Sequence, residues 1–271
     1  PTDGSRTLEY DTVLRSFTGD WYDAAGMYRD WTLQQKWAVP LSRRQDVPDW
    51  LLDSPVYITI RPQGVLDDGP VFPIQEFLPY PDKCIPLLQQ VSDRVGAPVV
   101  AVLMGWERAA SWVYPDCFPP VGGDEGATEL ARQARARGWH IGSFCNGSRW
   151  VTGHLWNGYD GRDYFKQREG ARSVCREADG SMWRENWDQS WRPSHPCCLG
   201  TDMTREIAVD FVKRLIGWGW ESIQFFDQNC GATTFACFAA DHEHPPMPGK
   251  WMLARMEQII GEFRQAARDA G

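Results

Sequence analysis

Residues 221–228, Glu221-Ser222-Ile223-Gln224-Phe225-Phe226-Asp227-Gln228, run through a short apolar stretch and stop at a carboxylate and an amide. The length suits a buried strand, and its apolar neighbours disfavour a fully solvated Asp at its end. In a parallel β/α barrel, reacting groups are displayed at the C-terminal ends of the strands. Asp227 is therefore the first candidate for chemistry.

Outward from this strand, the pattern repeats. Thr201 or Asp202 can cap a helix with the stripe Ile207, Ala208, Phe211, Val212, Leu215 and Ile216, which leaves through Gly217 and Gly219. Before it, 139–145 reads as a strand, preceded by a helix capped at Asp124 and stopped at Gly138. The run 97–104 is continuously apolar, as a strand buried on both faces requires. A helical pattern over 81–95 closes on Gly96, and 55–61 reads as the first strand. On the far side, an Ala- and Pro-rich loop reaches Pro248. A last helix then shows Trp251, Met252, Met256, Ile259, Ile260 and Phe263.

Alternating strands and helices predict a parallel sheet in an α/β fold. No G-x-G-x-x-G or P-loop follows any strand, which removes support for a doubly wound nucleotide fold. A (β/α) barrel of the TIM type is the better expectation. Such a barrel needs about 250 residues of repeats, and only four strands are visible. Gly96 and Gly138 each lead from a helix into a strand, and Gly271 stands in the same relation to the last helix. The expectation is the first four to five β/α units of a barrel, inactive alone; a complete four-stranded sheet is the alternative. Residues 1–50 read as a lead-in whose amphipathic helix, from Gly19 and Asp20 to about Trp37, packs on the barrel. Residues 51–271 form the barrel portion, with a long aperiodic insertion at 146–200.

Composition narrows the partners. With 28 basic and 36 acidic residues the formal charge is −8, which argues against a nucleic-acid backbone as partner. No stretch approaches the roughly 20 apolar residues of a membrane span, and no signal-peptide pattern occurs. The sequence leaves both secretion and a cytoplasmic location open. The eight cysteines include no CxxC pair, so a zinc ribbon is not expected. Cys230 and Cys237 could bridge across one loop. Of the 15 Trp residues, several fall in predicted loops: Trp106, Trp112, Trp150, Trp156, Trp183, Trp187 and Trp191. Aromatic faces there suit sugar rings or loop packing equally.

The segment Gly19-Asp20-Trp21-Tyr22-Asp23-Ala24-Ala25, with Tyr28-Arg29-Asp30-Trp31 and Gln35-Lys36-Trp37, is one part of a resemblance. The other is Phe226-Asp227-Gln228 with Cys230, followed by His242-Glu243-His244-Pro245-Pro246. Together they resemble a poorly characterised family of glycoside-hydrolase-like (β/α)₈ barrels. That family is related to retaining α-glycosidases of the α-galactosidase and endo-α-N-acetylgalactosaminidase type. Its second segment usually runs His-Gly-His-Pro-Pro-Gly-Gly; here Glu243 replaces the first Gly and Met247 the second. The resemblance implies Asp227 as the nucleophile of a retaining double displacement on an α-linked glycan. It also implies an acid/base carboxyl from a later strand, beyond Gly271.

Retaining hydrolysis requires two carboxyl groups about 5–5.5 Å apart. Within the chain, Glu107, Asp241 and Glu243 are the carboxyls to weigh beside Asp227, which could instead cap a helix or pair with an Arg. Polar and aromatic groups placed at the same face are Trp106, Glu107, Asn146, Arg149, Trp150, Gln228, His242 and His244. They offer hydroxyl contacts and platforms for an oligosaccharide or glycoconjugate. No cofactor is expected. A metal-dependent hydrolase using the cluster Asp241-His242-Glu243-His244 is one rival, and a non-catalytic carbohydrate-binding domain is the other.

Overall fold

A computed structural model describes residues 11–62, 82–109, 111–155, 158–183, 191–226 and 235–271. The chain divides into two compact units, Pro1–Leu52 and Asp53–Gly271. In the first, helix α1 (Trp21–Thr32) opens on a capping box: Asp20 Oδ1 accepts the Tyr22 N–H at 2.8 Å, and Asp23 Oδ2 accepts the Asp20 N–H at 3.0 Å. The helix stops short of Trp37. The side-chain amides of Gln34 and Gln35 donate to the carbonyls of Asp30 and Trp31, and the backbone tightens to three-residue bonds there.

The second unit begins with β1 (Val56–Ile60), whose Val, Ile and Thr side chains favour the extended backbone. Helix α2 (Cys84–Val95) ends at Gly96 with φ +70°, the left-handed exit that glycine adopts without strain. Strand β2 (Val99–Leu103), helix α3 (Gly123–Arg135) and strand β3 (His140–Phe144) follow. Gly122, not Asp124, precedes α3; Asp124 and Glu125 lie in its first turn, where the helix dipole favours negative charge.

The segment 146–200, expected to be aperiodic, contains β4 (Arg149–Val151), β5 (Gly153–His154), β6 (Tyr159–Asp160), α4 (Arg162–Gln167) and β7 (Ser194–Pro196). Strands β4 and β7 pair antiparallel, as do β5 and β6. Helix α5 (Asp202–Gly217) is capped by Thr201, whose Oγ1 accepts the Thr204 N–H at 3.2 Å. Strand β8 (Ser222–Gln224) and helix α6 (Trp251–Ala270) complete the order.

The central sheet is parallel throughout, in the order β1-β2-β3-β8. Val56 faces Val99, Val100 faces His140, and Gly142 faces Ser222. A Cβ at Gly142 would lie 2.5 Å from the Ser222 carbonyl oxygen, so glycine is what lets β3 and β8 meet. All four strands therefore point their C-terminal ends the same way, which defines one functional face.

Behind that face, Leu103, Leu130, Ile141 and Leu215 are buried with a knot of rings. Trp106 meets Phe118, Phe211, Trp218 and Trp220 at centroid distances of 5.4–5.9 Å. Trp218 and Trp220 lie 5.3 Å apart. Helix α6 lies on α5, where Arg205 Nη1 reaches Glu262 Oε2 at 3.0 Å.

Candidate functional site

The loop after β2 brings Glu107 beneath the strand ends, only 1% exposed, with Oε1 accepting the Trp112 N–H at 2.9 Å. Trp112 has φ +63°, a left-handed conformation that a bulky side chain rarely adopts unless its surroundings hold it. Its ring stands against Phe144 at the end of β3 and under the Arg192 guanidinium at 4.8 Å. Arg192 also lies 5.0 Å from the Trp191 ring, and His154 meets that ring edge-on at 5.2 Å. After β3, Asn146 Oδ1 accepts the Ser148 hydroxyl at 3.0 Å, and Asn146 bridges to Phe226 beyond β8. Arg149 is buried with its guanidinium 5.4 Å from the Phe235 ring.

Glu107, Asn146, Arg149, His154 and Arg192 are all buried. Burying charge is unfavourable unless the charge is paired and hydrogen-bonded, so the burial of these groups sets specific local contacts around each. Burial, then the positive charge of Arg192, depresses His154 from 6.5 to about 4, which keeps its imidazole neutral. The sign of the consequence follows from linkage. The unfolded chain takes up a proton near 6.5 and the folded chain only near 4, so stability falls as the pH drops through that window. Melting temperatures recorded from about pH 7 down to pH 5 should fall in the native protein. His154→Gln should lack that part of the slope.

The expected contacts divide into two groups. Glu107 and Asn146 lie in the segments that follow β2 and β3, and Arg149 opens β4. Trp106 also follows β2 but is a core residue: fully buried among four aromatic rings, with Nε1 donating to the Phe144 carbonyl at 3.1 Å. Trp150 is 1% exposed, packed on Tyr164 and Phe165. Neither ring has a face open to a sugar. Asp227 and Gln228 lie outside the described residues, as do Trp156, Trp187 and Cys230. Arg192 and His154 carry no local motif and are marked in the sequence only by their place in a Trp-rich segment.

His242 and His244 belong to a separate cluster. Cys198 Sγ lies 3.2 Å from His244 Nε2, and Cys237 Sγ lies 3.5 Å from His242 Nδ1. Cys175, Cys198, Cys237, Phe235 and Ala239 form a small buried core around these sulfurs, with Trp183 and Trp251 against it. Contacts from Cys175, then Cys198, hold the Cys237 thiol far below its ordinary range, against the opposing effect of burial. All seven described cysteines are free, so Cys237 has no disulfide in this structure. Asp241 and Glu243 are exposed and outside the cluster. No helix among the described residues is long and apolar enough to cross a membrane.

The fold and this geometry can be set beside known proteins. A protein of Bacteroides thetaiotaomicron, provisionally named a glycoside hydrolase, is 20% identical over 95% of this chain, which covers 34% of that protein. A second, from Monosiga brevicollis and named in the same provisional way, is 24% identical over 90% of the chain, which covers 21% of it. The chain thus spans about a third or less of the curated relatives it matches. Among solved structures, an α-N-acetylgalactosaminidase of Bifidobacterium bifidum matches 92% of the chain with a TM-score of 0.62 at 14% identity, over 39% of its own length. An α-galactosidase of Thermus thermophilus, in complex with p-nitrophenyl α-D-galactopyranoside, matches 80% with a TM-score of 0.51 at 20% identity, over 36% of its length. These likenesses establish the fold: four parallel β/α units of the kind found in glycosidase barrels. The profile of one family, described as a domain of unknown function (DUF6259), matches residues 6–270, and the chain belongs to that family.

Proposed function

We propose that this chain supplies part of a glycoside hydrolase that cleaves an α-linked glycan with retention, with Asp227 as the nucleophile. The observation that carries the reading is the run of buried polar groups in the segments that follow the strands of one parallel sheet. Glu107 follows β2, Asn146 and Arg149 follow β3, and β8 leads toward Asp227 in sequence. Such segments are where folds of this kind place their chemistry. The glycoside hydrolase names of the relatives and the α-glycosidase neighbours support the same reading.

In this mechanism the Asp227 carboxylate attacks the anomeric carbon while a protonated carboxyl gives its proton to the leaving oxygen. Water then releases the glycosyl-enzyme, with the second carboxyl acting as base. Glu107 is engaged with the Trp112 amide, and we assign it to holding that loop. The acid/base is assigned to a part of the protein outside these 271 residues. The length of the relatives beyond the matched region supports this. Gln228 is assigned to substrate contact, whereas Asn146 and Arg149, buried like Trp150, are assigned to holding the segment after β3. The test is the configuration of the first-formed product. The full-length protein, given aryl α-galactosides and α-N-acetylgalactosaminides, should release the α-anomer first, as followed by proton NMR. Initial release of the β-anomer would remove the double displacement.

A further inference from the structure

We propose that Cys198, Cys237, His242 and His244 form a structural zinc site, a role separate from the glycosidase reading and independent of it. The four donor atoms all lie within 4.8 Å of one another. In a tetrahedral zinc site with Zn–S near 2.3 Å and Zn–N near 2.0 Å, neighbouring sulfur and nitrogen ligands sit about 3.5 Å apart. The two sulfur–nitrogen pairs here are 3.2 and 3.5 Å apart. Two of the six donor pairs thus already stand at the spacing of a coordination shell, and the others lie within 4.8 Å, so a small contraction completes it.

The imidazoles are prepared as ligands are. His244 Nδ1 lies 2.7 Å from the Pro245 carbonyl oxygen, a contact that places the ring proton on Nδ1 and leaves the Nε2 lone pair aimed at Cys198. Such outer contacts fix the tautomer and orientation of metal-bound histidines. The ring is also stacked on Trp251 at 3.8 Å and 8°. Gly200 makes room for the stack, since a Cβ there would lie 2.2 Å from His244 Cδ2. The His244 N–H donates to the His242 carbonyl at 2.8 Å, which tightens the turn that carries both rings.

Two soft thiolates with two imidazoles select zinc over the hard oxygen-seeking cations. Two thiolates also neutralise the dication, so the site can sit in the buried pocket of Cys198 and Cys237 with no residual charge. Four protein donors leave no open position, which marks a structural and not a catalytic ion. Its effect is to fasten the segment before α5 to the segment before α6. Cys175, which touches Cys198 and Cys237, is the neighbouring sulfur outside the shell.

The chain, purified under reducing conditions without chelator, should carry one equivalent of zinc by plasma emission spectrometry. Cys198→Ser and Cys237→Ser should lose it, whereas Cys84→Ser, in α2, should keep it. Should the serine variants fail to fold, the native chain decides. Removing zinc with a chelator should lower the melting temperature by roughly 5 °C or more. Refilling with cobalt should give the intense visible bands of a tetrahedral thiolate site. No bound metal, together with no saturable uptake of zinc or cobalt by the reduced chain, would overturn the proposal. So would full zinc retention in folded Cys198→Ser and Cys237→Ser. Because none of these readouts involves a sugar, they stand or fall apart from the glycosidase assignment.

Discussion

Replacing Asp227 with Asn in the full-length protein is expected to lower kcat on an α-glycoside by roughly 10³-fold or more. Affinity for a product or unreactive analogue should change by less than about threefold, since the two side chains have the same shape. The amide has no anionic oxygen to attack the anomeric carbon, so no covalent glycosyl-enzyme forms and the first half of the reaction is lost. Calorimetry on the variant and steady-state rates on both proteins separate binding from turnover. A variant within about tenfold of the native rate would take Asp227 out of the mechanism. A native protein that binds α-glycosides and turns none over would instead favour a carbohydrate-binding role.

The second large effect lies in the core. Trp106→Ala should destabilise the chain by about 3–5 kcal/mol, as measured by urea unfolding. The indole fills the space between the strand ends and α5, and its loss leaves a cavity among Phe118, Phe211, Trp218 and Trp220. It also removes the bond to the Phe144 carbonyl at 3.1 Å, leaving a part-buried acceptor without that donor. Trp106→Phe should recover much of the packing but not the hydrogen bond. If Trp106 were a sugar platform, Ala there would weaken binding and leave the unfolding midpoint unchanged.

The β/α rhythm was legible because the strands are short apolar runs and three helices lead to a strand through a left-handed glycine, Gly96, Gly138 and Gly219. The interior of 146–200 was not. Strands of two or three residues such as β5 and β6 are too short to show a period of two. Residue type and loop position placed Trp106 and Trp150 near the strand ends. They could not say which way the rings face, and burial sends both inward. Glu107 and Asn146 were legible as groups close behind β2 and β3, whereas Arg149 opens β4, a strand the sequence did not show. The sulfur–imidazole cluster was half visible: His242 and His244 are two residues apart and Cys237 is five before His242, but Cys198 comes from 44 residues before it, which no local spacing reveals.

Three indoles in the core, those of Trp106, Trp218 and Trp220, stand edge to face within 5.3–5.9 Å of one another. Chromophores that close and that fixed in mutual angle share their excited states. Their far-ultraviolet circular dichroism should therefore carry a paired positive and negative signal that vanishes when the rings tumble independently. The molecule contains its own optical gauge of whether its interior has locked, and it can be read without label or ligand.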